Sequence, residues 1–394
     1  MLNSPPGCSV DGRTDLIPAI PPKWVGRVRE IDRFQWRVGD GGDPLALLAG
    51  YLAEAGLTLG GAAGGTAGVC GAALMISAAA GAVAAGSPPG APSPCPEVPD
   101  VVAVLHTLVG DGPAPGEPEP GPWWCGPWRR SWSPAQHAAA VEAVRASIAR
   151  GDVYQTNVVG HRSAPCGGDP AWALRAVAGV PGAVYGGSLG GDDWAVASGS
   201  PECLVTVADG RIVTRPIKGT RPRTEIGRAE LYASAKERAE HIMIVDLERN
   251  DLSRVARTGT VRVDELFTPR PWCDLWQAES EVSAELATSA DLAAVLHALC
   301  PGGSVTGAPK SSALRLVSEL EPVGRGPSMG ALGYLTPGRL DLGLTIRTIA
   351  IAGGRVHLWT GGGITWGSDP WAEVAEADAK AAPLQAVLAG PTPR

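Results

Sequence analysis

The 394-residue chain contains no C-x-x-C pair, and its eight cysteines (8, 70, 95, 125, 166, 203, 273 and 300) do not cluster with its six histidines. That excludes a structural zinc site and leaves reduced thiols as the expectation, hence a cytoplasmic protein. Neither sign of charge forms a block. Lys+Arg total 33 against 40 Asp+Glu, a net charge of −7, so neither a nucleic-acid-binding surface nor a polybasic membrane surface is expected. A small anionic substrate would need a local cationic site instead. No signal peptide opens the chain, which fits the cytoplasmic expectation. Long apolar runs of membrane type are also missing. The uncharged run 56–86 is mostly Gly and Ala, carries Gly-Gly at 60–61 and 64–65, and has neither a basic flank nor an aromatic belt. It reads as short buried strands with tight turns rather than a membrane span. Phenylalanine is nearly absent, at two residues beside 53 Gly and 36 Pro; we read this as coding bias and not as architecture.

What the chain does have is an unusual stretch at 214–223, Thr-Arg-Pro-Ile-Lys-Gly-Thr-Arg-Pro-Arg, in which a lone Lys218 sits among three Arg, two Pro and a Gly. Residues 195–207 and 211–213 read as strands around a turn at Asp209-Gly210, so Lys218 falls at the end of a hairpin strand, where Gly219 frees the backbone. Cationic neighbours and partial desolvation disfavour an ammonium group, which is how an amine becomes a nucleophile near neutrality. The plainer alternative is a basic, solvated strand end. Glu202, in Gly199-Ser200-Pro201-Glu202, tips the balance, because the hairpin returns it toward Lys218 and a carboxyl beside an amine can act as a general acid.

Around this centre the chain reads as mixed helices and strands. A helix is expected at 44–55 and a strand at 100–109, between Pro/Gly-rich linkers at 87–99 and 110–122. Four Trp between 123 and 132 read as packed core or loop. Ser133-Pro134-Ala135-Gln136 is a capping box that starts a helix ending near Arg150-Gly151, and 151–159 follows as a strand. A long helix over 230–247 leads into Ile244-Val245-Asp246-Leu247-Glu248-Arg249-Asn250-Asp251-Leu252. Gly302 and Gly307 imitate a Walker A loop, but Ala308-Pro309 separates Gly307 from Lys310 and no P-loop results. Segments 330–335 and 344–349 read as strands, the second carrying Arg347. Gly361-Gly362-Gly363 precedes a helix capped by Ser368 or Asp369, on which Glu373, Glu376 and Lys380 share one face.

Ser-Pro-Glu202, Pro-Ile-Lys218-Gly-Thr-Arg-Pro-Arg, the Glu248-Arg249-Asn250-Asp251 string and the terminal glycines together resemble the chorismate-utilising enzymes. Within them they are most similar to the aminodeoxychorismate synthases, component I. The resemblance is strong over 133–388. It implies an α+β, anthranilate-synthase-like fold: two large, mainly antiparallel sheets packed face to face with helices outside. Residues 131–394 would form the chorismate-binding catalytic region, and a degenerate part, 1–130, would contribute to the same fold. Gly64-Gly65-Thr66-Ala67-Gly68 echoes a family Gly-Gly-x-x-Gly stretch.

By the same resemblance, Lys218 is the nucleophile and Glu202 the acid. Glu240 and Glu376 hold Mg²⁺ with Glu373 nearby. Arg347, Lys380, Thr220, Thr306, Gly307 and the glycines Gly361, Gly362 and Gly363 bind substrate. The implied reaction is transfer of an amino group to chorismate, giving 4-amino-4-deoxychorismate, which a separate lyase would take to 4-aminobenzoate. Gln155 stands where water-adding relatives carry a basic Lys, and anthranilate and isochorismate synthases carry Ala in place of Lys218. No Cys lies in a Gly-x-Cys-x-Gly elbow, so ammonia would come from solution or from a separate glutamine amidotransferase subunit. The chain departs from the family at Gln277, where His is usual, and at Ser328, where an aromatic is usual. It also lacks the motif for tryptophan feedback. Anthranilate synthase component I, an aminodeoxyisochorismate synthase and, in another class, a non-catalytic chorismate-binding or assembly subunit remain as alternatives.

Overall fold

The computed structural model describes residues 27–60, 68–110 and 119–390. Two of the helices form for the local reasons visible in the sequence. Ser133 Oγ accepts from the Gln136 amide at 3.2 Å while Gln136 Oε1 accepts from the Ser133 amide at 2.7 Å. This capping box opens the helix Pro134–Arg150, and Gly151 closes it in the left-handed conformation. Asp369 caps the helix Pro370–Leu388 through the amides of Trp371 and Ala372.

Two antiparallel sheets carry the remaining architecture. The larger has 10 strands and runs from Arg27–Trp36 through Val69–Ile76, Ala331–Thr336 and Cys203–Ala208 to Ile217–Pro222 at the far edge. The smaller has 8 and is built around Gln155–Gly168, Arg355–Ile364, Thr348–Ala352 and Trp194–Ser198. One apolar cluster takes Leu204, Val205 and Leu342 from the larger sheet and Val196, Ala350 and Trp359 from the smaller, so the two pack face to face. Alternation along Arg355–Ile364 turns Val356 and Leu358 the other way, where Ala381, Leu384 and Leu388 of the last helix cover them. The expected α+β fold of two face-to-face sheets with helices outside is the one observed.

Several local expectations need correction. Residues 195–207 are two strands, Trp194–Ser198 in the smaller sheet and Cys203–Ala208 in the larger. Residues 344–349 likewise split, into Arg339–Leu344 in the larger sheet and Thr348–Ala352 in the smaller. The two crossings lie side by side: the Leu344 amide donates to Glu202 O at 3.0 Å and the Gly199 amide to Arg347 O at 3.0 Å. The long helix over 230–247 is two, Glu225–Ala233 and Ala235–Ser253, because Ser234 turns out of helical geometry and caps the second through the Glu237 amide. Within 56–86 the described part is a strand, Val69–Ile76, and a helix, Ala78–Ala84. Residues 64–67 of the glycine echo, and 111–118 of the second linker, lie outside the described residues. Among the described residues no helix is long and apolar enough to cross a membrane.

Candidate active site

The paired crossings leave an opening between the sheets, a cleft of about 780 Å³ open to solvent. Each crossing delivers a functional side chain to it. Glu202, 3% exposed, hangs from the first; Arg347, with a left-handed φ of 54°, hangs from the second. A non-glycine residue in that region is strained and is held there by its surroundings. Lys218 enters from the edge strand Ile217–Pro222, two residues past the break at Pro216.

Glu202 and Lys218 meet through one residue. Ser304 Oγ donates to Glu202 Oε1 at 2.6 Å, and Lys218 Nζ donates to Ser304 O at 3.0 Å. The Ile217 amide adds a second donor to Glu202 Oε1 at 3.3 Å. Burial pushes the Glu202 carboxyl above its usual range, only partly countered by the Ser304 hydroxyl and the Lys218 and Arg347 charges. Burial also pulls the Lys218 ammonium down, against the opposing pull of Glu202 and Glu240. The two shifts favour a neutral acid beside a neutral amine, the pair that nucleophilic attack with assisted departure requires.

At the opposite wall, the helix Ala235–Ser253 presents Glu240 and the helix Pro370–Leu388 presents Glu373, Glu376 and Lys380. Lys236 Nζ spans the helices, 3.6 Å from Glu240 Oε1 and 3.5 Å from Glu373 Oε1. Burial raises Glu240; burial and the Glu376 charge raise Glu373. Burial acts upward on Glu376 as well, but Lys380, 2.6 Å away, outweighs it and the carboxyl ends below its usual range. Lys380 Nζ also donates to Gly361 O at 3.0 Å. The glycines bring the sheet close to this cluster. A Cβ on Gly362 would stand 3.1 Å from Glu373 Oε2 and 3.9 Å from Glu376 Oε1, and one on Gly361 would fall 2.0 Å from Val158 O.

Lys218, Glu202, Thr220, Arg347, Lys380, the three glycines and the carboxylates at 240, 373 and 376 therefore border one cleft. Thr306 and Gly307 do not. The Thr306 hydroxyl is turned back onto Gly302 O at 2.8 Å, and Gly307 is packed against Gln155 O; Ser304 and Val305 of the same turn face the cleft instead. Ser328 is fully buried and donates to Thr345 O at 3.0 Å, away from the cleft wall. Gln277 does border the cleft and accepts from Arg347 Nη1 at 3.1 Å, while the guanidinium lies 3.6 Å over the Trp272 ring. Gln155 is buried beneath the glycine strand, its amide nitrogen 2.5 Å from where a Gly363 side chain would begin.

Sequence reading missed Ser304, Lys236 and the Glu321–Arg325 pair. Lys236 was legible, since it precedes Glu240 by one helical turn. Arg325 donates to Glu321 through Nε and Nη2, to Val305 O at 2.7 Å and to Asn157 O at 3.2 Å, so it clamps the cleft-facing turn to the strand Gln155–Gly168. No local pattern announces that role.

Comparison with known proteins identifies the family. A family model described as chorismate binding enzyme matches residues 88–386. Aminodeoxychorismate synthase component 1 of Klebsiella aerogenes is 39% identical over 256 residues, covering 63% of this chain and 57% of that protein. Anthranilate synthase component 1 of Streptomyces coelicolor is 41% identical over 260 residues, covering 63% and 50%; the matched part thus spans about half the length of these relatives. The crystal structure of anthranilate synthase component I from Streptococcus pneumoniae superposes with a TM-score of 0.74 at 24% identity, covering 91% of each chain. The match over 88–386, which includes every cleft residue named above, makes the chain a member of the chorismate-binding enzyme family.

Proposed function

We propose that the protein aminates chorismate at C4, giving 4-amino-4-deoxychorismate, with ammonia supplied by a separate glutamine amidotransferase subunit in the cytoplasm. The observation that carries this is the Lys218 amine, poised within the cleft beside the Glu202 carboxyl and joined to it through Ser304.

In this reading Arg347 and Lys380 hold the substrate carboxylates, and the ring lies between Lys218 and the glycine strand. Lys218 Nζ bonds to C2 as the ring double bond shifts and the C4–O bond breaks, and Glu202 gives its proton to the departing oxygen, which leaves as water. Ammonia then bonds to C4, the double bond returns, and the C2–N bond to Lys218 breaks, restoring the lysine amine; the proton shed by the new C4 ammonium returns to the Glu202 carboxylate and restores the acid.

Among the described residues no three His, Cys, Asp or Glu side chains gather tightly enough to ligate a metal alone. Mg²⁺ normally takes one or two protein carboxylates together with water and substrate oxygens, and three buried carboxylates facing one cleft, two of them raised by burial and the third held ionised by Lys380, fit that demand. Glu240 and Glu376 would hold it, with Glu373 adjacent, and it would supply positive charge to a substrate carboxylate.

Mass spectrometry of the product formed from chorismate, ammonium and Mg²⁺ tests the reading. A product retaining the enolpyruvyl group with an amine in place of the hydroxyl is expected. Anthranilate with pyruvate, the product of the rival synthase, or bound but unconsumed chorismate would overturn it.

A further inference from the structure

We propose that Ser304 is a positioning residue that sets acid and nucleophile in register: its hydroxyl fixes which Glu202 oxygen carries the transferable proton, and its carbonyl fixes where the Lys218 lone pair points. This rests on the roles just given to Lys218 and Glu202.

The hydroxyl side follows from counting donors. Glu202 Oε1 accepts from both Ser304 Oγ, at 2.6 Å, and the Ile217 amide, at 3.3 Å. An oxygen already accepting two donors is a poor place for a proton, so a protonated Glu202 carries it on Oε2. Once that proton has moved to the leaving oxygen, the same two donors meet the new negative charge on Oε1, in a site where an unpaired carboxylate would be costly.

The carbonyl side follows from amine geometry. A neutral Lys218 has two N–H bonds and one lone pair, and one N–H is committed to Ser304 O at 3.0 Å. The lone pair is thereby directed off the Ser304 carbonyl. Because both bonds originate from one residue, any shift of the turn would misplace both groups together.

The turn is accordingly held from three sides. Arg325 Nη1 donates to Val305 O at 2.7 Å, Thr306 Oγ1 to Gly302 O at 2.8 Å, and Gly303 lies so close to the helix behind it that a Cβ would meet Leu247 Cδ2 at 2.5 Å. Ser304 itself is 4% exposed, which keeps water from competing for its hydroxyl. The other charged groups facing Glu202 are Lys218, Arg347 and, from the helix Ala235–Ser253, Glu248; none is altered by a change at 304.

Ser304→Ala and Ser304→Thr, assayed with chorismate and ammonium across pH beside the wild type, test the proposal. For S304A, kcat falls roughly 10- to 100-fold while KM for chorismate changes less than about threefold, since the hydroxyl that is lost is spent on Glu202. Loss of the donor makes Glu202 hold its proton to higher pH, so the alkaline limb of the rate profile moves up; S304T, which keeps the hydroxyl, leaves the limb in place. A KM effect without a kcat effect, or an S304A limb at the wild-type position, overturns the proposal. If S304A loses its cooperative melt, the S304T limb alone decides, and its displacement is the contrary result. A wild type that consumes no chorismate defeats the functional reading itself, whereas an active wild type with an unmoved S304A limb defeats only this inference.

Discussion

Lys218 and Glu202 are separated by sixteen residues, and their usefulness depends on burial disfavouring the charged form of each. An ammonium ion loses more than an amine on leaving water, and a carboxylate loses more than a carboxylic acid. Lys218→Met, which keeps the length and removes the amine, is expected to lower chorismate consumption by at least about 100-fold while leaving chorismate binding measurable by calorimetry. Activity near that of the wild type would remove Lys218 from the mechanism. Glu248, one element behind the site, offers a separate test. Burial, with Asp251 nearby, pushes its carboxyl up to about 8 from an ordinary 4.5, and it accepts from Thr214 Oγ1 at 3.3 Å. The folded chain therefore holds a proton that the unfolded chain has released between those two values. Its contribution to stability declines as pH rises through that window and is at its least favourable above 8. Glu248→Gln, permanently neutral, is expected to gain roughly 1–3 kcal/mol over the wild type at pH 9 relative to pH 5. Urea melts at the two pH values measure it, and an equal offset at both would contradict it.

At the scale of elements, the site is built where strands change sheets and where a strand of glycines lets a helix come close. Gly362→Ala places a methyl 3.1 Å from Glu373 Oε2, in the space the reading gives to substrate. A loss of chorismate affinity of about tenfold or more is expected from such crowding, with little change in melting temperature. Equilibrium binding with a parallel melt distinguishes that from unfolding. The clamp on the Ser304 turn makes the opposite prediction. Arg325 and Glu321 are both buried and joined at 2.7 Å, so Arg325→Met strands a carboxylate in the interior and is expected to cost about 3–5 kcal/mol of folding stability. Denaturation that shows less than about 1 kcal/mol would mean that the pair contributes no more than a surface one.

For the molecule as a whole, the question is where ammonia originates. Seven cysteines are described, all free, and burial raises the thiol of every one, those of Cys95 and Cys300 to about 12 and those of Cys166 and Cys203 to about 11. A thiol that resists ionisation is a weak nucleophile, so none of these is suited to hydrolyse glutamine. Turnover of chorismate is expected with ammonium and absent with glutamine alone, and a glutamine amidotransferase should restore it. Glutamine-supported turnover by the purified chain would refute the need for a partner.

The sequence by itself determined the helix that begins at Ser133, the cap at Asp369, the chemical identity of the groups at 202, 218, 240, 347 and 376, and, through their motifs, the family. These are matters of near neighbours and residue type, and capping, turn and propensity terms act within a few residues. Only the tertiary structure decided that two apparently continuous strands change sheets at 199–202 and 345–347. Leu-Thr-Ile-Arg-Thr-Ile has every local reason to stay extended, and Arg347 leaves that conformation only because hydrogen bonds to a segment some 150 residues away in the chain hold it. It also decided that Ser304, and not Thr306, faces the cleft, since a four-residue turn takes its orientation from the helix, strand and arginine packed around it rather than from its own sequence.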